Sequence, residues 1–328
     1  PFIVGGVALN LVGLGIMVFA PGFWTYALGY LFVQLGNNVA TSPFNALIPD
    51  VVPEAERGAA SGVMGVLTLT GQITGFAINI ALSSSRSGQF LAIAVLLAAS
   101  ALISVLGTPE PKRHAVSVER PDWLAFLRPE YRDFRWVTLT RFFNEVGKYS
   151  VQPFLNYYLA DVIAAFTIGG FVIANKDMAT SLVAGLLTVS GAVTAVWGGN
   201  VSDRVGKKPI IYLAGGLMGA AALGFALAHT YALVLVFAVV FGLGYGAYMS
   251  VDWALGTAVL PNRRTLARDM GVWHIAMVLP QVFNAAEGRF LDWGNAQSPN
   301  LGYSLIFGVA ILFFLFGTVF IAQVRGVK

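Results

Sequence analysis

The chain has 328 residues, of which 57% are hydrophobic and only 11% charged, with a formal net charge of +4 and no cysteine. An ordinary soluble domain carries roughly 25% charged residues, so this mixture cannot cover a water-facing surface and its main solvent is lipid. Disulfides and thiolate metal sites are excluded, and so small a positive excess calls for no nucleic-acid partner.

Backbone groups find no water in a bilayer, which leaves helices or closed barrels as spanning structures. Apolar runs of about 20 residues, enough to cross a hydrocarbon core of about 30 Å as helix, recur along the whole chain without strand-like alternation. Helices are therefore expected, ten of them. The first runs from about Phe2 to Ala20, the second from Phe23 to Ile48, the third from Ala60 to Leu82 and the fourth from Phe90 to Leu106. A polar stretch rich in proline and basic residues follows (108–135), with a short amphipathic helix expected around Trp123–Leu127. The fifth span covers Trp136 to Ala160, the sixth Met178 to Trp197, the seventh Pro209 to Ala228 and the eighth Tyr231 to Leu260. The ninth runs from Met270 to Phe290 and the tenth from Leu301 to Val324. No charged leader precedes the first run, so it is a span and not a signal peptide. A chain opening on Pro1 also reads as a fragment of a longer one.

Orientation follows from the cations, since cytoplasmic loops collect Lys and Arg. Alternating the loops puts fifteen of the twenty basic residues on one side, including Arg57, the linker's six, Arg204, Lys207, Lys208, Arg263, Arg264, Arg268 and the tail. The opposite side holds only Arg86, Lys176 and Arg289. The linker, the charged turn after the sixth span and the C-terminus are thus expected in the cytoplasm, with the chain in the plasma membrane or a bacterial inner membrane.

The chain also repeats itself. With Pro1 laid over Pro209, a shift of 208, the stretch SPFNALIPDVVP (42–53) falls on SVDWALGTAVLP (250–261) with Ser, Ala-Leu, Val and Pro in register. One added residue brings Gly62-Val63 onto Gly271-Val272 and Gln72 onto Gln281. Both copies have the same orientation, which makes a parallel repeat, an arrangement in which secondary transporters bind substrate near the midplane between halves. The second copy has two spans before Pro209. The first copy therefore calls for two spans ahead of Pro1.

GGNVSDRVGKK resembles the loop signature G-x-x-x-D-[RK]-x-G-[RK]-[RK] of the major facilitator superfamily, with Gly199, Asp203, Arg204, Gly206, Lys207 and Lys208 at the matching positions. NALIPDVVPEAERGAASGVMG and VDWALGTAVLPNRRTLARDMGVWHIAMVLPQV resemble the inner loops of its glycoside–pentoside–hexuronide and sucrose–proton symporter branch. The resemblance implies an all-α, polytopic, rocker-type carrier with two parallel six-helix halves, ten of the twelve helices being present. Residues 1–107 would form the N-terminal half without its first two helices, 108–135 the cytoplasmic linker and 136–328 the C-terminal half. The signature loop would act as a conformational latch, against the simpler reading of a topology anchor.

Several polar residues lie at membrane depth. Arg141, Glu145 and Lys148 share one face of the fifth span, the last two roughly 13 and 18 Å in from Trp136 at about 1.5 Å per residue. Ionisable groups there are costly and face a cavity or each other. They form either a polar wall of the transport pathway, with Glu145 as proton carrier, or a self-neutralising structural pair; Tyr149, Gln152 and Asn156 lie on or beside the same face. Asp252, roughly 12 Å inside the eighth span, needs a cationic partner, either Lys148 or Arg141. Asn37 and Asn38, mid-span with Thr41 nearby, offer donor and acceptor together to a hydroxyl-rich ligand or to another helix. Gln72 and Gln281 take matching places in the two halves and are read as cavity-lining, with Asn284 and Glu287 further outward and His274 near the cytoplasmic end. Tyr157, Tyr158, Trp253 and Trp273 suit stacking on a sugar ring or an interfacial belt. The pairs Gly58/Gly62, Gly71/Gly75, Gly215/Gly219 and Gly242/Gly246 have the spacing of close helix packing.

These readings converge on a monomeric secondary active transporter that moves a small polar solute, a sugar or glycoside, by proton coupling. An exporter of amphipathic compounds and a non-transporting sensor on a carrier scaffold are the competing readings. An enzyme is not expected. The three histidines (His114, His229, His274) are scattered, no HExxH, GxSxG or nucleotide-binding loop occurs, and no cofactor or metal is called for.

Overall fold

The computed structural model describes residues 2–51, 57–107, 123–260 and 266–326. Ten α-helices run through them: α1 (Phe2–Val18), α2 (Phe23–Val51), α3 (Arg57–Ala81), α4 (Arg86–Gly107), α5 (Arg132–Tyr158), α6 (Lys176–Val205), α7 (Lys207–Leu227), α8 (Tyr231–Ala258), α9 (Leu266–Gln297) and α10 (Leu301–Phe320). Among the described residues, length and hydropathy alone qualify α4, α7, α10 and most of α6 and α8 as membrane spans. At 17 residues α1 is shorter, and α5 carries Arg141, Glu145 and Lys148 in its interior.

The chain divides into two compact units, Pro1–Val118 and Glu119–Lys328. In the first, α1 packs on α2 and α4. It buries Gly6, Val7, Asn10, Gly13, Leu14 and Met17, one stripe at helical spacing. The backbones nearly touch: a Cβ on Gly36 of α2 would lie 2.5 Å from Gly6 O, and one on Gly13 would lie 2.6 Å from Gly29 O.

In the second unit α8 packs between α6 and α7, and α10 joins α7, α5 and α9. Phe134, Ala214, Met218, Phe225, Phe241, Ile306, Phe307 and Phe314 form its fully buried centre. Side chains such as Val193, Val236, Leu312 and Val319 point outward, more than half exposed, as an apolar solvent allows. The close approach seen between α1 and α2 recurs between α7 and α8, where a Cβ on Gly244 would lie 2.9 Å from Ala214 O. Gly6 and Gly36 map onto Ala214 and Gly244 by the same shift of 208 that aligns Pro1 with Pro209, so the repeat is one of helix packing as well as of sequence.

The glycine pairs divide. Cβ atoms on Gly242 and Gly246 would collide with α6 at Leu187 O and Gly191 O, and one on Gly215 with Thr318 of α10. Among the described residues Gly71, Gly75 and Gly219 instead face open space within their own units. The surroundings of Gly58 and Gly62 lie outside what the structure describes.

The polar stretch also differs from expectation in detail. Trp123–Leu127 forms a 3₁₀ turn rather than an amphipathic α-helix, Arg132–Arg135 belong to the first turn of α5, and 108–122 lie outside the described residues. Between α5 and α6, where the sequence suggested no element, α5 ends in one π turn (Leu159–Ile163). A two-residue hairpin follows, β1 (Thr167–Ile168) paired with β2 (Phe171–Val172). Gly169 and Gly170 turn it with φ of 52° and 91°, the two positive dihedrals that a tight hairpin requires.

The signature turn is shorter than a loop. Gly206, at φ 94°, ends α6, and its N–H donates to Ser202 O at 3.0 Å, while α7 starts at the next residue. Arg204 is exposed and Lys207 and Lys208 are half-buried; the Lys208 ammonium donates to Val324 O at 2.5 Å. The C-terminal segment is held further by Asp133, whose Oδ2 accepts from Arg325 N at 3.1 Å and Gly326 N at 2.7 Å. The surroundings of Gly199 and the Asp203 side chain lie outside the described residues.

Candidate functional site

Polar side chains climb one side of α5 in three steps, each tied to a neighbouring helix. At the first, the Arg141 guanidinium is 1% exposed and its Nη1 pairs with Asp252 Oδ2 of α8. Nη2 donates to Met277 Sδ at 3.4 Å, and the guanidinium carbon lies 4.6 Å from the centroid of the Trp273 ring, so α9 supplies a cation–π wall. Asp252 accepts a second bond, 2.9 Å from Tyr248 Oη one turn earlier on α8. Of the two partners open to Asp252 in sequence, Arg141 takes the role. Among the described residues, Arg141 Nε and Trp273 Nε1 are buried donors with no acceptor.

One turn further, Lys148 pairs with Glu145 on its own helix. The Lys148 ammonium also donates to Tyr245 Oη of α8 at 3.2 Å and lies 4.3 Å from the ring centre of Tyr149. Tyr149 in turn accepts from Gln281 Nε2 of α9 at 3.0 Å. Two ion pairs, each neutral overall, thus sit inside an apolar bundle, where an isolated charge would cost several kcal/mol more.

The third step is Ser150, which donates to Val146 O at 2.9 Å and to Glu287 Oε1 of α9. Pro280 lies inside α9 just ahead of Gln281, and a proline frees the carbonyl four residues earlier.

Other candidates lie elsewhere. Gln152 is half-buried and makes no hydrogen bond among the described residues. Asn156 accepts from Thr180 Oγ1 of α6 at 3.1 Å, away from α8 and α9. In the first unit, Asn37 Oδ1 accepts from Asn10 Nδ2 at 2.7 Å and Asn38 Nδ2 donates to Gln34 O at 2.9 Å. Gln72 is exposed within its unit. Trp273 and Tyr158 are core residues: Trp273 stacks on Phe134, and Tyr158 donates to Ala228 O at 2.5 Å. Tyr157 and His274 are exposed, and the Trp253 side chain lies outside the described residues.

Sequence reading missed Tyr248, Tyr245, Met277 and Ser150 as partners. The two tyrosines precede Asp252 by four and seven residues, the spacing of one helix face, and were findable that way. Met277 and Ser150 carried no such signal.

The family model of the Major Facilitator Superfamily matches residues 1–283. Among the solved structures that share the fold are two crystal structures of a bacterial homolog to the human lysosomal transporter Spinster. The inward-facing, occupied form has 18% sequence identity and a TM-score of 0.69. The inward-facing, unoccupied form has 17% identity and a TM-score of 0.64. Each match covers 98% of this chain and 82% of the other, and at such identities the likeness is one of fold. No curated protein matches.

Proposed function

We propose that this chain, which belongs to the Major Facilitator Superfamily, is a secondary active transporter that moves a sugar or glycoside by proton-coupled alternating access. Membership makes it a multi-pass membrane transporter of small solutes and not an enzyme. The observation that carries the finer reading is the polar face of α5, where Arg141–Asp252 and Glu145–Lys148 hold four ionisable groups within an apolar bundle. A purely structural helix avoids that cost, because leucine in the same places needs no partner. Groups of this kind mark substrate and proton pathways. The amides and phenols beside them, Gln281 and Tyr149 bonded together and Gln152 with no hydrogen bond among the described residues, supply the donors and acceptors that a hydroxyl-rich solute uses.

Within the superfamily, the loop sequences favour the glycoside–pentoside–hexuronide and sucrose–proton symporter branch. The basic loops favour a cytoplasmic linker, signature turn and C-terminus, in a monomer of the cell membrane whose halves 1–107 and 136–328 are joined by 108–135. The Gly206 turn is its conformational latch. The test is uptake of labelled glucosides into vesicles containing the full-length chain, with and without an imposed pH gradient. Accumulation that collapses with the gradient supports the reading, and gradient-independent or absent flux of every sugar tried overturns it. If Asp252→Asn and Glu145→Gln both leave coupled flux unchanged, the α5 face is not the coupling site.

A further inference from the structure

A strip of aromatic rings runs along the contact of α5 with α10. Trp136 and Phe143 of α5 meet Phe320 of α10 at ring-centre distances of 5.5 and 5.4 Å. Phe143 also stacks on Phe313 at 5.7 Å, and Phe316 stacks on Phe320 at 6.1 Å. None of these rings is buried within its unit, and Phe316 is 46% exposed.

The strip has a cation at the N-terminal end of α5. Arg132, one turn before Trp136, is half-buried, and its Nη1 donates to Gln323 O at 3.1 Å and to Asp133 Oδ1 at 3.0 Å. A guanidinium offers five N–H donors, and among the described residues neither Nε nor Nη2 of Arg132 has an acceptor. Asp133 is itself shared, since its Oδ2 accepts from Arg325 N and Gly326 N. Arg135, on the same turn, donates to Phe126 O at 2.9 Å and Arg128 O at 2.6 Å, carbonyls that bring no negative charge. Among the described residues around this end, Arg128, Arg132, Arg135 and Arg325 outnumber Glu130 and Asp133.

We propose that Arg132 and the aromatic strip bind one anionic phospholipid, its phosphate on the open edge of the guanidinium and its acyl chains along the rings. The planar fork of an arginine matches a phosphate, and the positive excess around it favours an anionic headgroup over a zwitterionic one. The lengths agree as well. From Arg132 to Phe143 the helix rises about 16 Å, and the hydrocarbon of one leaflet is about 15 Å deep, half of the bilayer core. Rings also give an acyl chain a large contact at low entropic cost, because each has only two side-chain torsions. The exposed Leu312, Leu315 and Val319 of α10 are aliphatic instead. The site depends on placement in a membrane and on neither sugar nor proton, so a failed uptake assay leaves it standing.

The test is tryptophan fluorescence of the purified full-length chain in phosphatidylcholine nanodiscs, titrated with phospholipid brominated high in its acyl chains as quencher. The Trp136 signal is the difference between the parent and Trp136→Phe, and brominated phosphatidylglycerol is compared with brominated phosphatidylcholine. Half-maximal quenching of Trp136 is expected at a mole fraction about tenfold lower for phosphatidylglycerol, the worth of a hydrogen bond to a charged group. Arg132→Gln should remove that preference and Arg132→Lys should restore part of it. Arg289→Gln, an exposed cation toward the other end of α9, should leave it intact. Should Arg132→Gln not fold, the parent in low and high salt carries the comparison. Salt at about 1 M shortens the screening length to about 3 Å and should erase the preference. Equal quenching by the two lipids overturns the proposal, and so does a preference indifferent to Arg132→Gln or, failing that variant, to salt. Absence of Trp136 quenching by either lipid overturns it too, because protein then covers the strip.

Discussion

Replacing Asp252 by Ala should destabilise the six-helix unit far more than replacing both members of its ion pair. Asp252→Ala leaves the Arg141 guanidinium buried at 1% exposure without a counter-charge, and stranding one partner of a buried pair costs about 3–5 kcal/mol. Tyr248 also loses its acceptor, at about 1–3 kcal/mol for a buried hydroxyl left unsatisfied. The Trp273 face lies beneath the guanidinium before and after the substitution and so drops out of the difference. The single variant should therefore lose at least about 3–5 kcal/mol. Joint replacement by Arg141→Met and Asp252→Leu removes both charges and fills the space, and should lie within about 1 kcal/mol of the parent. The assay is reversible unfolding in mixed micelles of rising dodecyl sulfate content, followed by far-ultraviolet circular dichroism, on Asp252→Ala and, for the cycle, on Arg141→Met, Asp252→Leu and the double variant that carries both. The cycle should give a coupling energy of at least about 2 kcal/mol. Single variants that each cost under about 1 kcal/mol and add in the double would show that Arg141 and Asp252 are not paired in the bilayer.

Lys148→Met should behave in the same way, stranding Glu145 at 1% exposure, and adding Glu145→Gln should recover most of the loss in the same unfolding assay. Gly246→Ala should cost about 1–3 kcal/mol because its Cβ would run into Gly191 O of α6. Gly219→Ala, which meets open space, should be neutral or stabilising by about 0.5–1 kcal/mol. Gly36→Ala and Gly244→Ala, equivalent under the repeat, should both lower the melting temperature seen by fluorescence-detected size exclusion; a loss at one position only would deny that the two helix pairs share a crossing. Lys208→Ala should speed tryptic cleavage after Arg325, read by mass spectrometry, since the Lys208 bond to Val324 O helps to hold that segment.

Helix number and rough bounds were legible because lipid leaves the backbone one solution over each apolar run. The need of Asp252 for a cation was legible for a related reason, since a carboxylate in a span must find one. Choosing Arg141 over Lys148 was not, because the choice depends on the relative heights of α5 and α8, which helical periodicity within each leaves open. The glycines show a similar limit. Spacing marks Gly71/Gly75 and Gly242/Gly246 alike as small-residue stripes, but only the latter pair meets another helix within its unit. Trp273 was legible as a large aromatic near a helix end, yet its task, a wall beneath Arg141 stacked on Phe134, depends on three helices meeting. Ser150 was invisible because a helical serine ordinarily satisfies itself on the carbonyl four residues back, as this one does with Val146 O before also reaching Glu287.

The single residue between α6 and α7 has a mechanical consequence. A loop of several residues would soak up displacement of one helix before the next one felt it. Here the slack is one glycine at φ 94°. A swing of about 10° around Gly206 would carry the far end of the 30-residue α6, about 45 Å long, through roughly 8 Å. With one residue between them, α6 and α7 have almost no slack at the basic turn, so neither helix can reorient there without straining the other.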